Sequence, residues 1–178
     1  MKKFLIIFLA LIFVLLGFSL ARNSESSTPF MDDQILLLES YILKRDTHNP
    51  KISKADVAWH VDHSLKTINR ICEALEGSDP AKFKSNFSFS RLCIFAWGDF
   101  PRGVAKAPKS VRPPEDITTE NLYLQLEEAK QNLKRIESLD EKAHFKHPYF
   151  KTIDKGQTKR FLKIHTGHHL KIIKDILK

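Results

Sequence analysis

Two histidines near the end of the chain have a spacing that can support chemistry. In KIHTGHHLKIIKDILK, residues 163–178, His165 and His169 are four positions apart, so on a helix they lie one above the other. Phe161, Ile172 and Ile176 share that face and mark it as the side toward the interior. Because a buried imidazole without a partner costs about 1–3 kcal/mol, these rings need hydrogen bonds or a shared cation.

A second pair of histidines occurs in WHVDHSL, within an earlier predicted helix. Counted against the apolar stripe of that helix, His60 lies nearer the apolar centre than His63, so periodicity alone favours His60 as a partner of the C-terminal pair. One imidazole from this helix and two from the last helix would supply three nitrogen ligands. Three protein ligands leave a coordination position open, which is typical of a catalytic metal site.

Long amphipathic helices would have to position these side chains. The first is expected to have Asp32 or Asp33 as its N-cap, the second to run from Ser53 as N-cap to Gly77, the third to begin at Thr118 or Thr119, and the fourth to run from Asp154 as N-cap to the C-terminus. We find no strand pattern and no internal repeat. The sequence therefore predicts an all-α fold, an antiparallel four-helix bundle formed by residues 31–178.

A proline-rich segment separates the second and third long helices. Prolines between Pro101 and Pro114 exclude a continuous helix or a central strand there. We expect a short helix from about Ser90 to Trp97, and then a long extended loop. Loops of this length in compact domains often cover a site, and Trp97, Phe100 and Val104 could anchor this one.

The N-terminus has the pattern of an export signal. Lys2 and Lys3 precede an uncharged apolar run over residues 4–21, and small residues, Ser19 and Ala21, suit cleavage after Ala21. We therefore predict a signal peptide over residues 1–21, a polar linker over residues 22–30 and a periplasmic or extracellular domain. The run is also long enough to act as an uncleaved membrane anchor, which is the alternative.

Charge and cysteine content narrow the function classes. The formal net charge is +8, but the lysines are scattered, without a basic stripe or an interleaved aromatic platform, so we do not expect nucleic-acid binding. A disulfide between Cys72 and Cys93 is permitted in an oxidising compartment. Cys72 shares an apolar helix face, so a buried free thiol is favoured over a disulfide.

Two segments, WHVDHSLKTI and HPYFKTIDKGQTKRFLKIHTGHHLKII, resemble the DinB/YfiT-like superfamily, in particular an uncharacterised subgroup of it. The resemblance spans about Asp32 to Lys178. Carried over by position, it implies that His63, and not His60, joins His165 and His169 as metal ligands. Where the subgroup commonly has glycine after HP-x-F, this chain has Lys151.

The three predicted ligands indicate which cations suit the site and which nearby side chains could contribute to it. Histidine-only ligation suits several divalent ions, with zinc or nickel expected first. Asp62 and His168 could orient ligating rings through hydrogen bonds. His147 and Tyr149 could reach an open coordination position, although ordinary loop packing is the favoured interpretation for them.

Two functions follow as hypotheses. The first is an exported metal-binding protein that acts on a small molecule as a metal-dependent hydrolase or transferase, since characterised members of the superfamily resemble thiol transferases and thiol-dependent isomerases. The alternative is a non-catalytic helical bundle of the cell envelope that binds a partner, with its histidines hydrogen-bonded in the core. Both hypotheses are compatible with a homodimer. Under both, we expect contact with a membrane only if the N-terminal segment is not cleaved.

Overall fold

The computed structural model describes residues 30–178, so the predicted signal or anchor and most of the linker lie outside the described residues. The described chain is mainly helical, as expected. Its helices are α1 (Asp32–Ile42), α2 (Val57–Glu76), α3 (Phe89–Trp97), α4 (Thr119–Ser138) and α5 (Lys155–Ile176). Among these helices, none combines the length and apolarity needed to cross a membrane.

Helix α2 is the central element. It packs most extensively on α4 and next on α5, while α1 contacts all three of these helices. The core between them consists of aliphatic side chains at helical spacing, such as Leu65, Leu126 and Ile173, each fully buried. Burying such a side chain contributes about 1.5–3 kcal/mol, so the facing stripes provide the main force that holds the helices together.

Of the N-caps predicted for the four long helices, two are confirmed and two are wrong. The Thr118 side chain accepts a hydrogen bond from Asn121 N at the start of α4, and Asp154 forms a reciprocal capping box with Gln157 at the start of α5, as predicted. The predicted caps of the first two helices were wrong. Helix α1 follows Met31, which has no side-chain cap, and Asp56 caps α2 in place of Ser53.

A short β-hairpin contradicts the expectation that the chain has no strand. Strand β1 (His144–His147) pairs in antiparallel register with β2 (Lys151–Asp154), so that Phe145 lies opposite Ile153. Each strand has only four residues, too few to show an alternating pattern in the sequence. The hairpin leads directly into α5 and sets where that helix begins.

The segment between α3 and α4 contains no α-helix or strand, apart from one 3-10 turn at Lys109–Val111. Phe100 packs against the core, whereas Trp97 and Val104, the other two expected anchors, are exposed at 60% and 73%. Both cysteines are free thiols, Cys72 buried and Cys93 partly so, which confirms the favoured interpretation.

Lys151 adopts a left-handed backbone conformation, with φ 61°. This is the position at which the resembling subgroup commonly has glycine, and glycine reaches this conformation without the steric cost that a Cβ imposes. The turn therefore keeps a conformation that suits glycine although a lysine occupies it.

We expect Lys151→Gly to raise the free energy of unfolding by about 0.5 kcal/mol, because relief of steric cost is partly offset by the greater freedom of glycine in the unfolded chain. Lys151→Ala, which keeps the Cβ, is the matched control and should give no such gain. Chemical denaturation measures both. Equal stability of the two variants would contradict the inference that the Cβ at position 151 imposes a steric cost.

Candidate metal centre

Three histidines from two helices converge in the interior. His63 on α2 and His165 and His169 on α5 each offer a ring nitrogen, and these three nitrogens lie within 4.8 Å of one another. The ring centroids are 5.1 Å apart for His63 and His165, 4.8 Å for His63 and His169, and 4.7 Å for His165 and His169. This histidine cluster could bind a metal ion.

Helix geometry explains the convergence. His165 and His169 are one turn apart on α5, and its packing against α2 brings their face toward His63. His63 and His169 are buried, and His165 is partly buried. Trp59, one turn before His63 on α2, stacks on the His63 ring at 4.9 Å between centroids. The rings of Phe161 and Phe100 lie 5.3 Å and 6.2 Å from the His165 ring between centroids, so aromatic side chains border the cluster on two sides.

The hydrogen bonds of His63 identify its protonated nitrogen. His63 Nδ1 lies 2.8 Å from the carbonyl oxygen of Val111. A carbonyl only accepts, so Nδ1 donates, and the neutral ring keeps the lone pair of Nε2 for another partner. The proline-rich segment therefore orients the ring through its 3-10 turn, and the same contact buries His63 although it lies off the apolar centre of α2.

His165 is the ring of the cluster whose hydrogen bonding is incomplete. Its Nδ1 is buried and has no hydrogen-bond partner among the described residues. A buried nitrogen of this kind is costly unless something satisfies it, and a cation shared with two other imidazoles would do so. By this test the donor set fits a divalent transition metal.

Burial keeps the rings of the cluster neutral. It lowers the pKa of His63, and for His165 and His169 the pKa lies well below 6.5, because burial and the neighbouring histidines both disfavour the charged form. A metal ligand must be a neutral imidazole, so proton competition at the site is weak at neutral pH.

His60, the alternative ligand, lies beside the cluster. Its Nδ1 is 3.0 Å from His169 Nδ1, and its Nε2 is 3.0 Å from Ser53 Oγ. Both nitrogens already have partners, which favours His63 over His60 as the third ligand. Helical periodicity correctly predicted that His60 points into the interior.

Two residues expected to orient the ligands have other partners. Asp62 accepts hydrogen bonds from Lys66 Nζ at 2.6 Å and Gln125 Nε2 at 2.8 Å. His168 Nδ1 is 3.1 Å from Asp99 Oδ1 and so faces the segment after α3. The ring partners present in the structure, Val111 and His60, were not predicted; a backbone carbonyl of a loop leaves no signal in the sequence.

His147 packs in the hairpin turn, as favoured from the sequence. Its Nδ1 accepts the backbone N–H groups of Tyr149 and Phe150, each at 3.1 Å, and its ring stacks on Phe150 at 4.4 Å between centroids. Burial lowers its pKa from 6.5 to about 4. Tyr149 is exposed. Neither residue belongs to the cluster.

Comparison of the chain with protein-family models, with curated proteins and with solved structures finds no match. The resemblance to the DinB/YfiT-like superfamily thus rests on the quoted sequence segments alone.

The pKa of His147 predicts a pH-dependent stability. The unfolded chain binds this proton below about pH 6.5 and the folded chain only below about 4, so acid favours unfolding across that window. In metal-free protein, His147→Asn keeps an acceptor oxygen near the Nδ1 position but cannot titrate. Between pH 7.5 and pH 5 it should lose about 2 kcal/mol less unfolding free energy than the wild type.

The measurement is urea denaturation at several pH values in the presence of a chelator. The slope against pH is the readout, because loss of the ring stacking lowers the stability of the variant at every pH. An unchanged slope in His147→Asn would contradict the prediction.

Proposed function

We propose that the protein binds one divalent cation through His63, His165 and His169. Zinc and nickel are the ions that we expect before any other. The observation that carries the proposal is the convergence of three ring nitrogens within 4.8 Å, one from each histidine. In addition, His165 Nδ1 is buried and has no hydrogen-bond partner in the described part of the chain. Each ring is neutral, as a ligand must be, and His63 is held by a hydrogen bond from its other nitrogen.

We further propose that the protein is an exported member of the DinB/YfiT-like superfamily and a metal-dependent hydrolase or transferase that acts on a small molecule. When bound, the cation would supply Lewis-acid chemistry that polarises a substrate group or stabilises an anion. The chain's own contribution is to orient three neutral imidazoles and to exclude water with the rings of Trp59, Phe100 and Phe161. Three protein ligands, in place of four, favour this interpretation.

Metal content tests the cation directly. Protein purified without chelator should contain about one divalent ion per chain, and His165→Ala should contain almost none, because a two-histidine site binds far more weakly. Added zinc should raise the melting temperature of the wild type and not that of the variant.

His168→Ala is the matched control for this test. His168 is on the same helix, three residues from His165, but its ring bonds to Asp99, so the variant should keep its ion. A wild-type protein that carries no metal and takes up none on titration would rule out the proposal.

A second candidate function is supported by the aromatic enclosure. Trp59 stacks on His63, and Phe161 lies 5.3 Å from His165 between ring centroids. A cleft of about 280 Å³ between α2 and α4 is lined by Asp62, Lys66 and Gln125 and by none of the three cluster histidines. In this alternative the cluster stabilises a non-catalytic envelope protein, and the cation has no contact with a substrate.

Azide added to cobalt-loaded protein separates the two functions. If an outside ligand reaches the ion, the visible absorption bands of cobalt should shift with saturable dependence on azide concentration, as an open position requires. Cobalt-loaded protein in which azide changes nothing would favour the closed, non-catalytic alternative.

A further inference from the structure

His60 links the histidine cluster to a serine outside it. Its ring is buried, with 4% exposure, yet neither nitrogen is free: Nδ1 lies 3.0 Å from His169 Nδ1, and Nε2 lies 3.0 Å from Ser53 Oγ. Ser53 also accepts a hydrogen bond from Ala55 N at 3.0 Å, which fixes the hydroxyl in the turn before α2. The three side chains form one continuous hydrogen-bonded series.

The contact between two Nδ1 atoms restricts the protons of both rings. A neutral imidazole has one N–H donor and one acceptor, so one of these two Nδ1 atoms donates and the other accepts. If His169 Nδ1 donates, its Nε2 keeps a lone pair that can bind a cation. If His60 Nδ1 donates instead, His169 carries its proton on Nε2 and that nitrogen cannot be a ligand.

His60 and Ser53 can hold the first arrangement. When His60 Nδ1 accepts from His169, the proton of His60 is on Nε2 and donates to Ser53 Oγ. That oxygen has two lone pairs, so it can accept from His60 and from Ala55 N at the same time. The N–H groups of His169 Nδ1, His60 Nε2 and Ala55 then each have an acceptor.

His63 provides an independent parallel. Its Nδ1 donates to Val111 O, so its Nε2 lone pair is also left for a cation. Two of the three rings would thus be held in the same way, each by a hydrogen bond at Nδ1.

We propose that His60 is a positioning residue, which accepts a hydrogen bond from His169 Nδ1 and so makes Nε2 of His169 the metal ligand. This inference rests on the proposed three-histidine cation site. It gives the second histidine of WHVDHSL the role of ligand and the first the role of orienting the opposite helix. Partners of this kind typically contribute 10-fold to 100-fold to metal affinity.

Two substitutions at position 60 separate orientation from packing. His60→Phe keeps a planar ring but has no acceptor, and it should weaken zinc binding by about 10-fold to 100-fold. His60→Asn places a carbonyl oxygen near the position of Nδ1, so it should bind zinc within about threefold of the wild type. Zinc affinity is measured by competition with a chromophoric chelator.

His168→Phe is the control, since it replaces a neighbouring histidine on α5 that bonds to Asp99, and it should leave zinc affinity unchanged. Wild-type affinity in folded His60→Phe would overturn the proposal. Equal weakening in the Phe and Asn variants would also overturn it, since it would show that the ring itself matters and not its acceptor.

Nitrogen-15 NMR of the metal-free wild type gives a readout that needs no variant and no metal. Long-range proton–nitrogen correlations should show His169 protonated at Nδ1 and His60 protonated at Nε2. Protonation of His169 at Nε2 would overturn the proposal even if His60→Phe fails to fold. A wild type that binds no zinc but has the expected tautomers would remove the cation site, while leaving the orientation of His169 established.

Discussion

The site depends on one constraint, which is that imidazoles buried between two helices must find partners for their nitrogens. An unpartnered buried polar group costs about 1–3 kcal/mol, comparable to the gain from burying one large aliphatic side chain. The chain meets this cost for His63 with a loop carbonyl and for His169 with a second histidine. Within residues 30–178, His165 Nδ1 is a buried nitrogen of the cluster that has no hydrogen-bond partner. The unmet requirement lies where three rings converge, and this is why a cation is the simplest explanation of the arrangement.

The same burial determines the charge state of the site. Low polarity around His63, His165 and His169 disfavours the imidazolium form and lowers the pKa of each ring. Asp99, which could have stabilised a positive charge, pairs with Lys171 and His168 on the outer side of α5. The cluster itself therefore offers neutral nitrogen donors, while the buried side chain of Asp62, next to His63 in the sequence, pairs with Lys66. Neutral imidazoles suit a cation that binds lone pairs.

Sequence reasoning succeeded where a signal is local and periodic. The caps at Thr118 and Asp154 are confirmed, and the sequence could predict them because capping involves residues only three positions apart. The interior position of His165 and His169 could be predicted from helical spacing. Sequence reasoning failed where the determinant is tertiary. The hairpin has strands of four residues, and Ser53 resembles a cap but instead bonds to His60. The choice between His60 and His63 also depends on tertiary structure, because contacts such as that with Val111, which help to bury His63, have no signal in the sequence.

The segment between α3 and α4 is part of the site and does more than connect helices. Its prolines keep it out of regular structure, which leaves carbonyl groups such as that of Val111 available for a side chain. The ring of Phe100, from the same segment, lies 6.2 Å from the His165 ring between centroids. The neighbouring Asp99 forms a salt bridge with Lys171 on α5. Gly98 and Gly103, both with positive φ, let the backbone turn sharply on either side of this contact. The hydrogen bond that orients His63 and the aromatic ring that packs on His165 thus come from one stretch of chain.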